Sequence, residues 1–276
     1  MTGTMDRFDL TGRVIVVTGG AGLLGSEYAG AIVEAGGTVI VADVNGERAE
    51  QTAQQSLLQG KGKALGMALD VSSKASVTAL VKDVLDRFGR IDGLVNNAAI
   101  DPKFEKTDEG KHLNAFEDYP VELWTQSLSV NITGMFLCAQ AVIPSMVAQG
   151  RGAIVNISST YGLAGPDQRL YEKDDPNAPK SFKPVVYSVT KSAVLGLTKY
   201  LAAYYGEKGI RVNTLTPGGV FNNHADEFVR RYSYRTPLGR MAQKHEYNGA
   251  LLFLLSEASA YMTGANLVVD GGWTAW

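Results

Sequence analysis

The most informative stretch for predicting the fold is Val14-Ile15-Val16-Val17-Thr18-Gly19-Gly20-Ala21-Gly22-Leu23-Leu24-Gly25. Its β-branched run predicts a buried strand and its glycines predict a tight turn, after which residues 26–35 have the pattern of a helix. Glycines let the backbone approach a ligand closely, and the N-terminus of a helix offers free N–H groups to a phosphate. The stretch therefore predicts a strand, turn and helix that bind the pyrophosphate of a dinucleotide.

A second buried strand at residues 38–42 ends in Asp43, which lies 18 residues after Gly25 (43 − 25 = 18). A carboxylate at about this interval binds the adenosine ribose of NAD. It would repel a 2′-phosphate, and the glycine turn contains no Lys or Arg that would attract one. Asp43 therefore favours NAD as the cofactor, although it could instead cap the following turn.

Strands and helices alternate along the rest of the chain. Residues 74–88 form an amphipathic helix, and further strands are predicted at residues 65–69, 94–95, 153–157, 210–215 and 266–269. Such alternation predicts right-handed βαβ units and a parallel sheet that is covered on both faces. We expect one α/β domain over residues 1–276, a Rossmann-like, doubly wound sheet of about seven strands, with the cofactor-binding part at about residues 10–160.

Composition excludes several other classes of protein. The chain has 276 residues, 45% of them hydrophobic, with a formal net charge of -2 and a pI near 6.0, so it has no basic surface for nucleic acid or an anionic membrane. The three histidines and the single Cys138 lack metal-ligand spacing, and we expect no metal site. With no N-terminal signal and no apolar run near the length of a membrane span, the sequence predicts a soluble, cytoplasmic protein.

Tyr187 and Lys191 are spaced four residues apart in a stretch with a helical pattern. Positions i and i+4 are neighbours on a helix, and an ammonium near a phenol would lower the phenol's pKa from its usual value of about 10. The tyrosine could then exchange a proton near neutral pH. A surface pair without chemistry is the alternative, because such a short motif is weak evidence by itself.

The chain as a whole resembles the short-chain dehydrogenase/reductase family. The resemblance covers nearly the whole sequence and rests on segments that occur in a characteristic order: the glycine turn, Asp70-Val71, Asn96-Asn97-Ala98, Asn131, Asn156-Ile157-Ser158-Ser159, Tyr187-x-x-x-Lys191, Asn213, Pro217-Gly218 and Asp270-Gly271-Gly272.

The resemblance implies a catalytic tetrad of Asn131, Ser159, Tyr187 and Lys191. Ser159 would hydrogen-bond the substrate oxygen, Tyr187 would exchange the proton during hydride transfer, and Lys191 would be its electrostatic partner and bind the nicotinamide ribose. Asn131 would anchor a water chain. Ser158 is an alternative to Ser159. The implied cofactor-binding residues are Gly19, Gly22, Leu24, Gly25, Asp43, Asp70, Val71, Asn97, Ala98, Tyr187, Lys191, Pro217, Gly218, Val220 and Asn222.

The sequence departs from the family pattern at three places. Its Thr-Gly-x-x-Gly-x-x-Gly turn has the spacing of the extended subfamily, with Leu23 where chains of this length usually have glycine. Ala99 and Asn222 replace a usual glycine and threonine. The interval from Ser159 to Tyr187 is 28 residues (187 − 159 = 28), about twice the usual one, because residues 165–183 are inserted.

Two polar inserts, residues 101–118 and 165–183, follow strand ends and should border the substrate pocket. The expected substrate-binding residues are Thr160, Tyr161, Arg169 and Tyr171, and Lys173, Lys180 and Lys183 offer further cations for a phosphate or carboxylate. Each of these charges could equally be a solvated loop charge that is balanced by nearby acids.

The leading hypothesis is an NAD-dependent oxidoreductase that interconverts a secondary alcohol and a ketone. A resemblance to a subgroup linked to surface-polysaccharide and flagellin-glycan sugar biosynthesis favours a sugar, sugar-phosphate or polyol substrate. The alternatives are a reductase of 3-oxoacyl thioesters or small ketones, and a non-catalytic dinucleotide-sensing protein. The family resemblance also implies a homotetramer, or else a homodimer, with interface anchors among Tyr200, Tyr204, Tyr205, Trp273 and Trp276, although these aromatics could lie in the core of the monomer.

Overall fold

The computed structural model describes residues 3–101, 114–175, 177 and 180–276. Within them, seven strands form one parallel sheet in the order β3-β2-β1-β4-β5-β6-β7. The strands are β1 Val14–Thr18, β2 Thr38–Asp43, β3 Lys63–Ala68, β4 Gly93–Asn96, β5 Gly152–Ile157, β6 Ile210–Pro217 and β7 Asn266–Val269. The predicted α/β fold with seven parallel strands is confirmed.

Helices cover both faces of the sheet. They are α1 Leu23–Glu34, α2 Gly46–Ser56, α3 Lys74–Phe88, α4 Val121–Leu128, α5 Gly134–Gln149, α6 Val185–Tyr205, α7 Asp226–Arg235 and α8 Asn248–Leu255. One buried cluster joins α3, α5 and α6 to the sheet, and a second joins α1, α2 and α8 to its other face. Side chains alternate between the two faces of a strand, so Val14 and Val16 of β1 lie in the first cluster while Ile15 and Val17 lie in the second.

One helical stretch contradicts an expectation from the sequence. The 29 residues Val121–Gln149 are continuous through a π-helical turn at Ser129–Thr133 and include an 18-residue segment with a mean hydropathy of 1.5. By length and composition alone this stretch could cross a membrane, so the prediction that no apolar run reaches that length is wrong. Here Cys138, Val142 and Met146 pack it on the sheet, as expected for the core helix of a globular domain.

Candidate active site

A cleft of about 900 Å³ opens at the carboxyl ends of the strands. The site residues expected from the sequence line it, except for Gly25, Asn131 and Arg169. This location follows from the topology, since the chain crosses over between β1 and β4 and leaves a crevice where the strand order reverses.

The glycine turn is built for close backbone approach. Gly19 has a φ of 60°, and a Cβ there would lie 2.8 Å from the Cα of Ala98. A Cβ on Gly25 would lie 2.2 Å from the carbonyl oxygen of Gly19, so Gly25 serves the packing of α1 against the turn although it does not line the cleft. Gly22 is the N-cap of α1, and Leu23 follows it with 40% exposure at the cleft wall.

The ends of β1 and β4 are held together by Asn97. Its Nδ2 donates to the carbonyl oxygens of Thr18 and Gly19, both at 3.0 Å. The Oγ1 of Thr18 in turn accepts from the backbone N–H groups of Asn97 and Ala98 at 3.0 and 3.1 Å. Asn97 and Ala98 therefore fix the floor of the cleft under the glycine turn.

Asp43 lies at the expected ribose end of the cleft. Its Oδ2 accepts from the N–H of Ala21 at 3.1 Å and its Oδ1 from the N–H of Asn45 at 3.1 Å. Arg48, which the sequence reasoning missed, donates to the carbonyl oxygen of Ala21 at 3.1 Å. The carboxylate of Asp43 and the guanidinium of Arg48 thus both contact Ala21 of the glycine turn.

The adenine end of the cleft would be formed by Asp70 and Val71. The carboxylate of Asp70 accepts from the N–H and hydroxyl of Ser72 at 2.9 and 2.6 Å, and Val71 is buried beneath it. At the other side of the cleft, Pro217 ends β6, and Gly218, Val220 and Asn222 follow it along the cleft wall. The N–H of Asn222 donates to Nδ1 of His224 at 3.2 Å.

Tyr187 and Lys191 lie in the first turns of α6. Lys191 is 3% exposed, its Nζ donates to the carbonyl oxygen of Ile157 at 2.9 Å, and burial lowers its pKa to about 8. The pKa of Tyr187 is raised, mainly by burial and then by the negative charge of Asp101, against a lowering by its hydrogen bond with Ser159. The expectation that Lys191 lowers this pKa is wrong for this structure, because Nζ lies 5.8 Å from the ring centroid and burial dominates.

The two adjacent serines have different surroundings. Ser158 is buried and its Oγ donates to the carbonyl oxygen of Lys191 at 2.7 Å, which ties β5 to α6. Ser159 has an extended backbone, accepts from the N–H of Tyr161 at 3.2 Å and shares a hydrogen bond with the side chain of Tyr187. Of the two, Ser159 is the serine that the fold brings to Tyr187.

Asn131 is buried in the π-helical turn and does not line the cleft. Its Oδ1 accepts from the N–H of Ile100 at 2.8 Å, and its Nδ2 donates to the carbonyl oxygen of Ile100 at 3.0 Å and to Oγ1 of Thr190 at 3.2 Å. The side chain therefore connects the loop after β4 to the residue that precedes Lys191.

Aromatic side chains form the end of the cleft beyond Tyr187. Tyr161 contacts Tyr187 edge-on with 6.5 Å between ring centroids, and Tyr171 donates from its hydroxyl to that of Tyr161 at 2.9 Å. Tyr232 stacks on Trp273 behind them at 6.1 Å. Trp273 is fully buried within this chain and so is a core residue rather than an interface anchor. Sequence reasoning missed Tyr232, since no pattern marks a tyrosine that enters a pocket from α7.

The insert at residues 165–183 places its cations differently from what the sequence indicated. The side chain of Arg169 is 80% exposed, pairs with Asp167 and lies outside the cleft, so its expected contact with substrate is not supported. Lys183 lines the cleft instead, beside Tyr187 and Asp101. Thr160 also lines the cleft and is buried. Of the other insert, residues 102–113 lie outside the described residues.

Comparison with protein families gives two matches. The family described as short chain dehydrogenase matches residues 13–171, and the one described as Enoyl-(Acyl carrier protein) reductase matches residues 178–274. Together they span the glycine turn, Ser159, Tyr187 and Lys191.

Individual relatives cover the chain almost end to end. The chain is 36% identical to 2,5-dichloro-2,5-cyclohexadiene-1,4-diol dehydrogenase of Sphingobium indicum, over 97% of this chain and 99% of that protein. It is 36% identical to D-threitol dehydrogenase of Mycolicibacterium smegmatis, over 97% of this chain and 95% of that one. Among solved structures, a gluconate 5-dehydrogenase from Burkholderia cenocepacia in complex with NADP and tartrate is 32% identical, with a TM-score of 0.84 over 99% of this chain and 100% of that one.

Proposed function

The chain belongs to the short-chain dehydrogenase/reductase family, and from that premise we propose that it oxidises a secondary alcohol of a polyol or sugar-like substrate to a ketone, with NAD as the favoured cofactor. One observation carries the proposal: Tyr187, Ser159 and Lys191 converge in a cleft whose other end is the glycine turn. The cleft has the close-approach backbone that a dinucleotide requires, since a Cβ on Gly19 would collide with Ala98.

The residues of this chain divide the work between proton handling and positioning. A bound nicotinamide supplies the hydride acceptor or donor. Ser159 hydrogen-bonds the carbinol oxygen, and Tyr187 takes its proton at the phenolic oxygen or returns it in the reverse direction. The buried Lys191 would bind the nicotinamide ribose and add a positive charge to this end of the cleft, while burial and not Lys191 sets the pKa of Tyr187. Asn131 positions Ile100 and α6 and touches no reacting atom.

The preference for NAD rests on Asp43. Its carboxylate already accepts from Ala21 at the ribose end of the cleft, where a 2′-phosphate would meet negative charge. The positive charge of Arg48, which also contacts Ala21, would act in the opposite sense by attracting a 2′-phosphate, and a structural relative was solved with NADP. The ratio of kcat/KM for NAD⁺ to that for NADP⁺ measures which of the two cofactors the protein prefers, and a ratio below one contradicts the proposal.

The substrate class is proposed from the polar lining of the pocket and from the relatives. Tyr161, Tyr171, Lys183 and Asp101 offer hydroxyls and charges, which suit a hydroxylated molecule better than an acyl chain. The relatives named above act on diol, threitol and gluconate substrates according to their names. A sugar of surface-polysaccharide or flagellin-glycan synthesis remains within this proposed class.

A reductase of 3-oxoacyl thioesters is the second candidate, because the family that matches residues 178–274 is described as a reductase of another acyl thioester, an enoyl-(acyl carrier protein). It would use NADPH in reductive biosynthesis, so tighter binding of NADPH together with turnover of a 3-oxoacyl thioester would support it over polyol oxidation.

We also propose a cytoplasmic homotetramer. The stacked and exposed Tyr200 and Tyr204 on α6 present apolar surface that a partner copy would cover. Light scattering at micromolar concentration tests the assembly, and a monomer contradicts it.

The test of function is oxidation of a polyol panel by the purified protein with NAD⁺ or NADP⁺. We expect Tyr187→Phe to lower kcat by about 10²–10⁴-fold, the usual contribution of general acid–base catalysis, with cofactor binding retained. Tyr261→Phe is the matched control, because Tyr261 is fully exposed. Turnover by Tyr187→Phe at the wild-type rate would contradict the mechanism. Clear cofactor binding without turnover of any alcohol or ketone would instead support a dinucleotide-sensing protein.

A further inference from the structure

Lys183 is a second lysine at Tyr187, and the insert holds it there. Its N–H donates to Oε1 of Gln168 at 2.8 Å, and Nε2 of Gln168 donates back to its carbonyl oxygen at 3.3 Å. These reciprocal bonds close the insert on itself one residue before Pro184, the N-cap of α6. The backbone of Lys183 is thus fixed, and its side chain is only 12% exposed.

The ammonium of Lys183 is enclosed by aromatic faces and one carboxylate. Its Nζ lies 3.9 Å from the ring centroid of Tyr187 and 5.9 Å from that of Tyr161. It forms an ion pair with Asp101, which is the one hydrogen-bond partner of Nζ found among the described residues. An ammonium has three N–H donors, so donor capacity remains on Nζ of a residue that lines the cleft.

Asp101 also keeps free capacity. Its side chain is 48% exposed and lines the cleft, and a carboxylate can accept more hydrogen bonds than the one from Lys183. The pair therefore offers an acceptor and a donor side by side. A hydroxyl group matches both, because it donates to the carboxylate and accepts from the ammonium at once.

Charge balance selects among possible ligands. Lys183 and Asp101 neutralise each other, so a carboxylate on the substrate would gain one charge partner and be repelled by the other. An alkyl group would cover both charges and leave their remaining hydrogen bonds unmade, which is unfavourable. A neutral hydroxyl is the group that this pair accommodates.

Resting on the proposed function, we propose that Lys183 and Asp101 bind the second hydroxyl of a vicinal diol whose first hydroxyl is oxidised at Tyr187. Nζ lies 3.9 Å from the centroid of the ring that carries the reacting phenol, so an oxygen bound by Lys183 can lie close to the oxygen that reacts at Tyr187. Hydroxyls on adjacent carbons hold their oxygens closer together than hydroxyls across a six-membered ring, which favours the vicinal pair.

The test compares kcat/KM for cyclohexane-1,2-diol, cyclohexane-1,4-diol and cyclohexanol, which share one carbon skeleton. We expect the wild-type protein to prefer the 1,2-diol to both others. Lys183→Met should lower the ratio of 1,2-diol to cyclohexanol by roughly tenfold to hundredfold, as expected for loss of a hydrogen bond from a charged donor. Lys180→Met, an exposed lysine of the same insert, is the matched control and should leave the ratio unchanged.

A second variant tests the role of charge. Asp101→Asn leaves the charge of Lys183 unbalanced, so its kcat/KM for 2-hydroxycyclohexanecarboxylate should rise relative to that for the 1,2-diol. A ratio that stays constant in Lys183→Met, or a fall in carboxylate turnover in Asp101→Asn, overturns the assignment while polyol oxidation still stands. Absence of turnover with all the alcohols overturns the proposed function and this inference together.

Discussion

Replacing Lys191 by Met should stabilise the protein at neutral pH while removing its activity. The pKa of Lys191 falls from its ordinary value of 10.5 to about 8 because the side chain is buried, which means that the folded state disfavours the charged form. At 1.36 kcal/mol per pKa unit, this difference corresponds to about 3 kcal/mol of free energy lost to keeping the charge buried at pH 7. The hydrogen bond to the carbonyl oxygen of Ile157 is lost in the variant and costs about 1 kcal/mol. We therefore expect Lys191→Met to raise the free energy of unfolding by about 2 kcal/mol.

The stabilisation should shrink as pH rises. Below pH 8 Lys191 is protonated in both folded and unfolded states, and the full penalty applies. Between pH 8 and 10.5 the folded state releases its proton while the unfolded state keeps it, so the wild-type protein gains stability with rising pH. At pH 9 the penalty falls to about 2 kcal/mol and the net advantage of the variant to about 1 kcal/mol.

Urea unfolding followed by tryptophan fluorescence at pH 7 and pH 9 measures both values. Lys180→Met is the control for replacing a lysine by methionine at an exposed position, and its stability should equal that of the wild-type protein at both pH values. A Lys191→Met variant that is less stable than the wild-type protein at pH 7, or whose advantage is the same at both pH values, would refute the reasoning.

Three further substitutions test the site. Asn131→Ala removes three side-chain hydrogen bonds and should lower the free energy of unfolding by roughly 2–4 kcal/mol and lower kcat; unaltered urea unfolding would contradict this. Gly25→Ala would place a Cβ 2.2 Å from the carbonyl oxygen of Gly19 and should weaken cofactor binding at least about tenfold. Gly165→Ala is the control, because a Cβ at Gly165 meets open space and should leave the dissociation constant of the cofactor unchanged. Equal dissociation constants for the two variants in a fluorescence titration would show that the turn tolerates the methyl group. Asp43→Ser removes the negative charge beside Arg48 and should raise the ratio of kcat/KM for NADP⁺ to NAD⁺ at least about tenfold, and an unchanged ratio would remove Asp43 from the discrimination.

The strands and the location of the cleft could be predicted because they depend on local patterns. Short apolar runs between the helices identified all seven strands, although β3 and β4 begin one or two residues before the predicted positions 65 and 94. The amphipathic pattern at Lys74–Phe88 gave the bounds of α3 as the structure has them. The helix α1 begins at Leu23, three residues before the expected Ser26, because Gly22 already serves as its N-cap. The order of the family motifs along the chain was enough to predict that Ser159, Tyr187 and Lys191 meet in one cleft.

The chemistry of the substrate end could not be predicted from local patterns. Arg169 and Lys183 are both insert cations in the sequence, but bonds to Gln168 hold Lys183 at the cleft while Asp167 pairs with Arg169 outside it. The direction of the pKa shift at Tyr187 depends on burial by side chains distant in sequence, which outweighs a lysine four residues away. The burial of Trp273 within the chain could not be predicted either, because a tryptophan in the core of a monomer and one in an interface between subunits have the same sequence pattern.

The π-helical turn at Ser129–Thr133 sets a limit on how the chain length can vary in this family member. Each residue of an α-helix advances about 100° around the axis, since 3.6 residues make one turn. A π-helical turn holds one residue more than an α-helical turn, so loss of one residue would restore regular α-helix and change the angular positions of the residues that remain in the turn, Asn131 among them. A deletion between Leu128 and Gly134 that leaves every remaining side chain in place would therefore still remove the hydrogen bonds by which Asn131 connects the loop after β4 to α6.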